Sequence, residues 1–232
     1  MVSGNKFFIC SYTNKCKDYC DKQFLDRIKE LKGSNPFTIV DNTERIEYVR
    51  RLRALAPWAS IHKVMTPTKP KNSRFQRNVT ESVNYLRELF LASNLPYFLI
   101  IESDVIPPKD LLERLKKAIE HLNLRQSGVI INGESRIYLN PWGIIGGLYY
   151  KGFHNYELEG IKQTHHVLSG CTVYKRELIE KIPFRYDPEN LGPFPDALIS
   201  ADSGKEYSLW NDHDIICDHL HAENGTRMSH PI

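Results

Sequence analysis

The chain has 232 residues, 41% of them hydrophobic and 25% charged, with a formal net charge of +3. That length supports one large core or two small ones, and the composition is that of a globular protein with no charge excess to make nucleic acid its default partner. No apolar run approaches membrane-spanning length, and the N-terminus lacks a charged segment followed by an apolar one, so the expectation is a cytoplasmic protein without membrane insertion.

In chain order, strand and helix patterns alternate. "KFFICSY" (Lys6 to Tyr12) reads as a buried strand, followed by a helix from about Lys17 to Lys32 in which Phe24, Ile28 and Leu31 recur at helical spacing. "PFTIVDNT" is a second strand ending at Asp41. The next helix carries Ile46, Val49, Leu52 and Leu55 and stops at Pro57, and "SIHKVMT" is a third strand. A stretch with Lys63, Lys69, Lys71, Arg74 and Arg77, broken by Pro67 and Pro70, is either a solvated loop or a phosphate contact. A helix with Val79, Val83, Leu86 and Phe90 on one face then leads to the strand "YFLIIES". A helix over Lys109 to Leu122 follows, with Leu112, Leu115, Ile119 and Leu122 in register.

After about Gly128 the alternation weakens. "GVIINGES" and "TVYKREL" read as strand pieces, "NPWGIIGGLYYKGFHNY" as a loop rich in glycine and aromatics, and "RYDPENLGPFPD" as irregular chain. The five cysteines, Cys10, Cys16, Cys20, Cys171 and Cys217, follow no disulfide or metal spacing and are read as reduced thiols, with Cys16 and Cys20 four apart on the first helix.

Alternation of this kind predicts an α/β fold with a mainly parallel sheet flanked by helices, in which ligands bind beyond the carboxyl ends of the strands. Tyr12, Asp41 and the triplet Glu102-Ser103-Asp104 fall at such ends. An acidic pair placed there meets a cation, a donor array or water, because unpaired carboxylates are costly to bury. A solvated strand-end cap remains the alternative to a ligand site.

Glu102-Ser103-Asp104 at the end of its strand resembles the Asp-x-Asp motif of GT-A glycosyltransferases, with Glu in the first position. "SRFQRNVTESVNYL" places Arg77-Asn78 at the opening of the preceding helix, as in the large inverting glycosyltransferase family. Ser11-Tyr12 and Asp41 stand after the first two strands, where such enzymes hold the nucleoside. "LSGCTVYKRELIEKIPF" is similar to the family's acceptor-side segment. "GPFPDALISADSGKEYSLWNDHDIICDH" is similar to the segment that begins with the catalytic acid and ends in a metal-binding histidine. The resemblance spans roughly Lys6 to His221.

It implies a single GT-A, Rossmann-like domain, with residues of about 6–127 as the nucleotide-binding half and about 128–232 as the acceptor-binding half. The implied activity is metal-dependent, inverting transfer of a sugar from a nucleotide-sugar, more often a uridine than a guanosine donor. Acceptors in view are a glycan, a protein or a hydroxylated base in DNA. Ser11, Tyr12, Asp41, Arg77, Asn78, Glu102 and Ser103 would contact the nucleotide, with Lys71 or Arg74 assisting Arg77. Asp104, Glu102 and His219 would hold manganese or magnesium, and Asp196 would be the base.

The residue chemistry agrees with that assignment. A nucleoside diphosphate leaves readily only if its developing charge is stabilised, which a divalent cation does, and manganese on oxygen ligands accepts one imidazole. An attacking hydroxyl must lose a proton, and one carboxylate within reach suffices. Each residue also has a plainer reading. Asp196 suits the N-cap of a helix over "PDALIS", and Asp202 or Glu206 are other candidates for the base, since many relatives carry two consecutive acids where this chain has Pro195-Asp196. Trp142, Tyr149 and Tyr150 stack on a sugar or pack in the core. Cys217, His219 and His221 form a rival zinc set. A metal-dependent phosphoesterase and a non-catalytic nucleotide-binding module are the rival functions.

Overall fold

In the computed structural model the described residues are 6–64, 74–126, 140–148, 159–189 and 193–220. The first half follows the expected alternation: β1 (Phe7–Thr13), α1 (Asp21–Leu31), β2 (Phe37–Asp41), α2 (Ile46–Leu55), β3 (Ser60–Lys63), α3 (Arg74–Leu91) and β4 (Tyr97–Ile101). A two-residue strand β5 (Val105–Ile106) and the helix α4 (Leu111–Gln126) complete it. The second half contributes β6 (Trp142–Leu148), β7 (Ile161–Thr164), β8 (Cys171–Lys175), α5 (Arg176–Lys181), α6 (Pro195–Ser203), β9 (Ser208–Ile216) and β10 (Asp218–His219).

Eight strands form one sheet in the order β3-β2-β1-β4-β8-β6-β9-β7, and β10 pairs with β5 in a small ribbon. β3, β2, β1 and β4 run parallel, as the sequence pattern predicts. β8 enters antiparallel to β4, with Ile101 opposite Cys171. That reversal has a consequence for the site. The turn preceding β8 lies at the same edge as the carboxyl ends of β1, β2 and β4. β6 and β9 resume the original direction, so the end of β9 also arrives there.

Helices cover both faces. Phe7, Ile9, Leu99 and Ile101 point to one side, against Phe24 and Ile28 of α1, Val49 and Leu52 of α2, and Leu115 and Ile119 of α4. Phe8, Cys10, Phe98 and Ile100 point to the other, against Val83, Leu86 and Phe90 of α3 and Leu178 and Ile179 of α5. Strands buried on both faces carry continuous apolar runs, which is why "FFIC" and "YFLII" show no alternation.

Three expectations change. The helix expected from Lys17 begins at Asp21, because Asn14 accepts from the Cys16 amide and winds Lys15–Lys17 into a separate 3₁₀ turn. Cys16 is therefore in that turn and Cys20 just ahead of α1, not four apart on one helix. α1 ends where Gly33 takes a positive φ of 54°, the left-handed position that suits glycine after a helix. The second change concerns "NPWGIIGGLYYKGFHNY", read as a loop: its residues 142–148 are a central strand. Glycines argued against a strand there, yet neighbouring side chains occupy the space over them. A Cβ on Gly143 would lie 2.4 Å from Leu178 and 2.8 Å from Tyr207, and one on Gly146 would lie 2.3 Å from Val167. Third, Trp142 is fully buried, stacks on Tyr97 at 5.9 Å and donates to Asn123, so it is a core residue and not a sugar platform. The "GVIINGES" segment, Tyr149, Tyr150, Lys69, Lys71 and His221 lie outside the described residues, as does the expected boundary between the halves.

The glycines of β6 yield a test. Gly143→Ala overpacks the contact between β6, α5 and Tyr207, and should lower stability by about 1–3 kcal/mol, read as a fall in urea midpoint at unchanged slope.

Candidate functional site

Six segments converge at the carboxyl edge of the sheet. β4 ends at Ile101, and Glu102 leaves the strand by donating its amide to the Gly170 carbonyl in the turn before β8. The next residues double back, with the Val105 amide on the Glu102 carbonyl, so that Glu102 and Asp104 both point toward the edge. β5 then pairs with β10, setting His219 opposite Val105, and the Leu220 amide binds the Asp104 carbonyl. This ribbon places the imidazole of His219 on the triplet from more than a hundred residues away: Nε2 lies 3.3 Å from Asp104 Oδ2.

Between the two carboxylates sits Lys17, which the sequence pattern places at a helix start. Its ammonium is 2.7 Å from Asp104 Oδ1 and 3.5 Å from Glu102 Oε2. The 3₁₀ turn after β1 holds it: the Lys17 amide donates to the Asn14 carbonyl, and the Cys20 amide donates to the Lys17 carbonyl. The Tyr12 ring lies beneath the ammonium at 5.9 Å. The only advance signal was a cation in the first turn beyond a strand that ends at the ligand edge.

Glu102 is tied on its other side. Its Oε1 accepts from the Tyr12 hydroxyl at 2.7 Å and from the Ser169 hydroxyl at 2.9 Å. Ser169, in the turn preceding β8, also donates its amide to Asp196 Oδ2 at 3.3 Å and thereby links the two carboxylates. The small-residue turn "SG" in the acceptor-side segment was the trace of Ser169 in the sequence.

Asp196 is buried in the first turn of α6. Phe194 is the N-cap and Pro195 opens the helix, so Asp196 is not itself the cap; its Oδ1 instead takes the Ala197 amide at 2.8 Å. Burial pushes its carboxyl above the usual range, against the lowering pull of the Ala197 amide, His166 and the Ser169 amide. At Asp104 burial also pushes upward, but the hydrogen bond with His219 and the charge and hydrogen bond of Lys17 outweigh it and hold that carboxyl at about 2. Burial likewise raises the Tyr12 phenol, reinforced by the Glu102 charge, so it stays a hydrogen-bond donor at neutral pH.

The other expected residues lie around this cluster without joining it. Ser11 is fully buried in β1 and its hydroxyl turns to the Tyr12 carbonyl. Ser103 is buried, and its carbonyl accepts from the Cys20 thiol. Asp41 closes the turn after β2: Oδ1 takes the Thr43 amide at 2.7 Å, and Oδ2 faces Lys63 at 3.5 Å. Lys63 also donates to the Thr43 and Arg45 carbonyls, so its ammonium serves this turn. Arg77, in the first turns of α3, pairs with Glu81 at 2.7 Å, and the Asn78 carbonyl accepts from Ser82. That end of α3 touches the start of α6 through the edge-on rings of Phe75 and Phe194, 5.9 Å apart. Asp202 pairs with Arg185 and Glu206 with Lys181, away from Asp196 and its partners.

As folded, the acidic pair does not present an open divalent-metal site. Both oxygens of Asp104 face internal cations or donors, one oxygen of Glu102 takes two hydroxyls, and the other faces Lys17. Among the described residues no three His, Cys, Asp or Glu side chains converge in a set that could hold a metal ion. Among them, too, no helix is long and apolar enough to cross a membrane.

No protein-family model and no curated protein sequence matches the chain. Solved structures do. The mannosyltransferase PcManGT from Pyrobaculum calidifontis, in complex with GDP-Man and Mn2+, superposes with a TM-score of 0.62 at 16% identity, over 95% of this chain and 58% of that one. S. aureus TarS 1-349 in complex with UDP-GlcNAc gives 0.61 at 12% identity, over 94% of this chain and 60% of that one. Glucosyl-3-phosphoglycerate synthase from Mycobacterium tuberculosis, with Mg2+ and UDP, gives 0.55 at 15% identity over 95% and 73%. This chain thus spans about three fifths of the first two. It has the GT-A fold of nucleotide-sugar glycosyltransferases, a single sheet-centred α/β unit.

The ion pairs of Asp104 set an expected acid-side loss of stability. Asp104, lowered to about 2 from an ordinary carboxylate value near 4, contributes stability that is fully present above about pH 4 and is lost as pH falls through about 2. Asp104→Asn should begin about 3 kcal/mol less stable at neutral pH, with Lys17 left to Glu102 alone, and should lose less in that window. Urea unfolding followed by far-UV circular dichroism at pH 7, 4 and 2.5 checks both slopes.

Proposed function

We propose that this chain is an inverting glycosyltransferase, moving a sugar from a nucleotide-sugar donor to an acceptor hydroxyl. The observation that carries the reading is the gathering of Glu102, Asp104, Asp196 and His219 at the carboxyl edge of a GT-A sheet, with Ser169 joining the two sides. Ligands of such sheets bind beyond that edge. A uridine donor is favoured over a guanosine donor on the sequence resemblance, although the neighbours hold both UDP-GlcNAc and GDP-Man.

The donor lies on the β1–β4 side, the half of about residues 6–127. The nucleotide is expected to approach the strand ends that carry Ser11 and Tyr12 (β1), Asp41 (β2) and Ser103 (after β4), with Arg77 and Asn78 in the first turns of α3. The acceptor enters from the half of about residues 128–232, over α6. Its hydroxyl oxygen attacks the anomeric carbon as the bond from that carbon to the diphosphate oxygen breaks. The hydroxyl proton passes to an Asp196 oxygen, and the bond's electron pair leaves with the nucleoside diphosphate. One direct displacement inverts the anomeric centre. Burial favours this role for Asp196, because a carboxylate raised above its ordinary value is a stronger base.

The Asp196 amide partners keep the carboxylate aimed while leaving it lone pairs for the incoming proton. Tyr12 and Ser169 fix Glu102, and through it the floor of the site. In the neighbours' complexes a Mn2+ or Mg2+ accompanies the nucleotide.

The test is transfer from a panel of UDP- and GDP-sugars, scored as nucleoside diphosphate release that depends on added glycan, peptide or hydroxymethylated DNA acceptor. Asp196→Asn should cut kcat by about 10²–10⁴-fold. It should leave intact the rise in unfolding midpoint that the nucleotide produces. The wild-type rate should fall on the acid side as Asp196 gains its proton, through a value above the ordinary carboxylate one. No release with any donor, or full activity in Asp196→Asn, would sink the reading.

A further inference from the structure

The acidic triplet and His219 are where this fold implies a divalent metal, yet the place between Glu102 and Asp104 is taken by a side chain of the protein. Lys17 reaches it from a turn whose backbone is fixed at three points: its own amide on Asn14, the Cys16 amide on the Asn14 side chain, and the Cys20 amide and thiol on the Lys17 carbonyl. This is a built-in counter-ion on a short, anchored tether, not a long side chain folded in from a distant loop. Its side chain is only 14% exposed, against 9% for Asp104 and 17% for Glu102.

The carboxylates are arranged around that ammonium. Asp104 gives Oδ1 to Lys17 and Oδ2 to His219. Glu102 gives Oε2 to Lys17, while Tyr12 and Ser169 hold Oε1 on the far side. A divalent ion needs bare oxygens at about 2.0–2.2 Å, and here it would have to enter beside a buried positive charge and evict it. An ammonium has three N–H donors; one goes to Asp104 Oδ1 at 2.7 Å, while Glu102 Oε2 at 3.5 Å is an ion-pair neighbour, which leaves donor capacity for an anionic oxygen at the edge. The Tyr12 face below it adds attraction for a cation at that spot.

We propose that Lys17 is the resident cation of this site: its ammonium stands where a divalent metal would, faces the diphosphate of the bound nucleotide, and lets the chain hold its donor without a metal ion. The proposal rests on the nucleotide-sugar reading and departs from the metal dependence that the sequence resemblance implies. Lys17 stabilises the negative charge left on the nucleoside diphosphate by ion pairing and transfers no proton; the acceptor proton still goes to Asp196.

Two measurements on the wild-type chain test it. The first is Mn2+ uptake by the nucleotide-free protein, read from the electron paramagnetic resonance of free Mn2+. The second is calorimetric binding of UDP and of GDP, in EDTA and in Mn2+. The expected result is no stoichiometric Mn2+ uptake, and a nucleotide affinity that agrees within about twofold in the two media. Lys17→Gln should weaken nucleotide binding in EDTA by about tenfold or more, the loss of a charge-assisted hydrogen bond. It should also gain Mn2+ uptake, because its carboxylates are released, whereas Lys17→Arg should keep binding in EDTA. Stoichiometric Mn2+ uptake by the wild type, or nucleotide binding only with Mn2+, overturns the proposal. Failure of both nucleotides in both media, with no Mn2+ taken up, sinks the nucleotide-sugar reading instead and removes Lys17's ligand with it.

Discussion

A carboxylate at the end of a strand buried on both faces must be answered by a positive charge or a set of donors, and the architecture of this edge follows from that requirement. β4 is fully buried, and the chain places Glu102 and Asp104 one and three residues beyond it. Lys17, His219, Tyr12 and Ser169 answer them from four separate segments. Each answering group is fixed by local structure: a 3₁₀ turn for Lys17, a two-strand ribbon for His219, the last turn of β1 for Tyr12, and the turn before β8 for Ser169. The pair is thus the knot that ties these segments together at the carboxyl edge of the sheet.

The reversal of β8 supplies the rest. A sheet continued in parallel would bring only strand ends, and the loops after them, to that edge. By running antiparallel to β4, β8 presents the turn that precedes it, and with it Ser169 beside Glu102. The same turn reaches Asp196 at the start of α6, so that a carboxylate of the second half stands one residue away from one of the first. The two carboxylates are therefore joined through a hydrogen-bonded serine. Burial raises both carboxyls, and their partners separate them: the hydrogen bond with His219 and the ion pair with Lys17 hold Asp104 low, while Asp196 stays above the usual range.

The glycine-rich strand β6 shows how local pattern and tertiary need can conflict. Gly143 and Gly146 weaken strand propensity, and the sequence around them reads as a loop. In the sheet they are the positions over which Leu178, Tyr207 and Val167 pack, and Trp142 beside them fills the core. A stretch read from its sequence as a loop rich in glycine and aromatics is, over residues 142–147, buried throughout.

The sequence by itself determined the α/β class, the chain order of the first four strands and their helices, and the edge at which their polar ends gather. Continuous apolar runs ending in polar residues specify buried parallel strands, and the ends of such strands are where ligands sit. Glu102 and Asp104 stand out because they end a recognisable apolar strand, whereas Asp196 and His219 come into view only through the family resemblance. Tertiary structure alone decided which cation meets the acidic pair. Lys17 and Asp104 are 87 positions apart, and nothing in the spacing of either says they touch. An ion pair depends on where two backbones bring their side chains, and that is settled only when β1 and β4 lie side by side and the turn after β1 folds back over them.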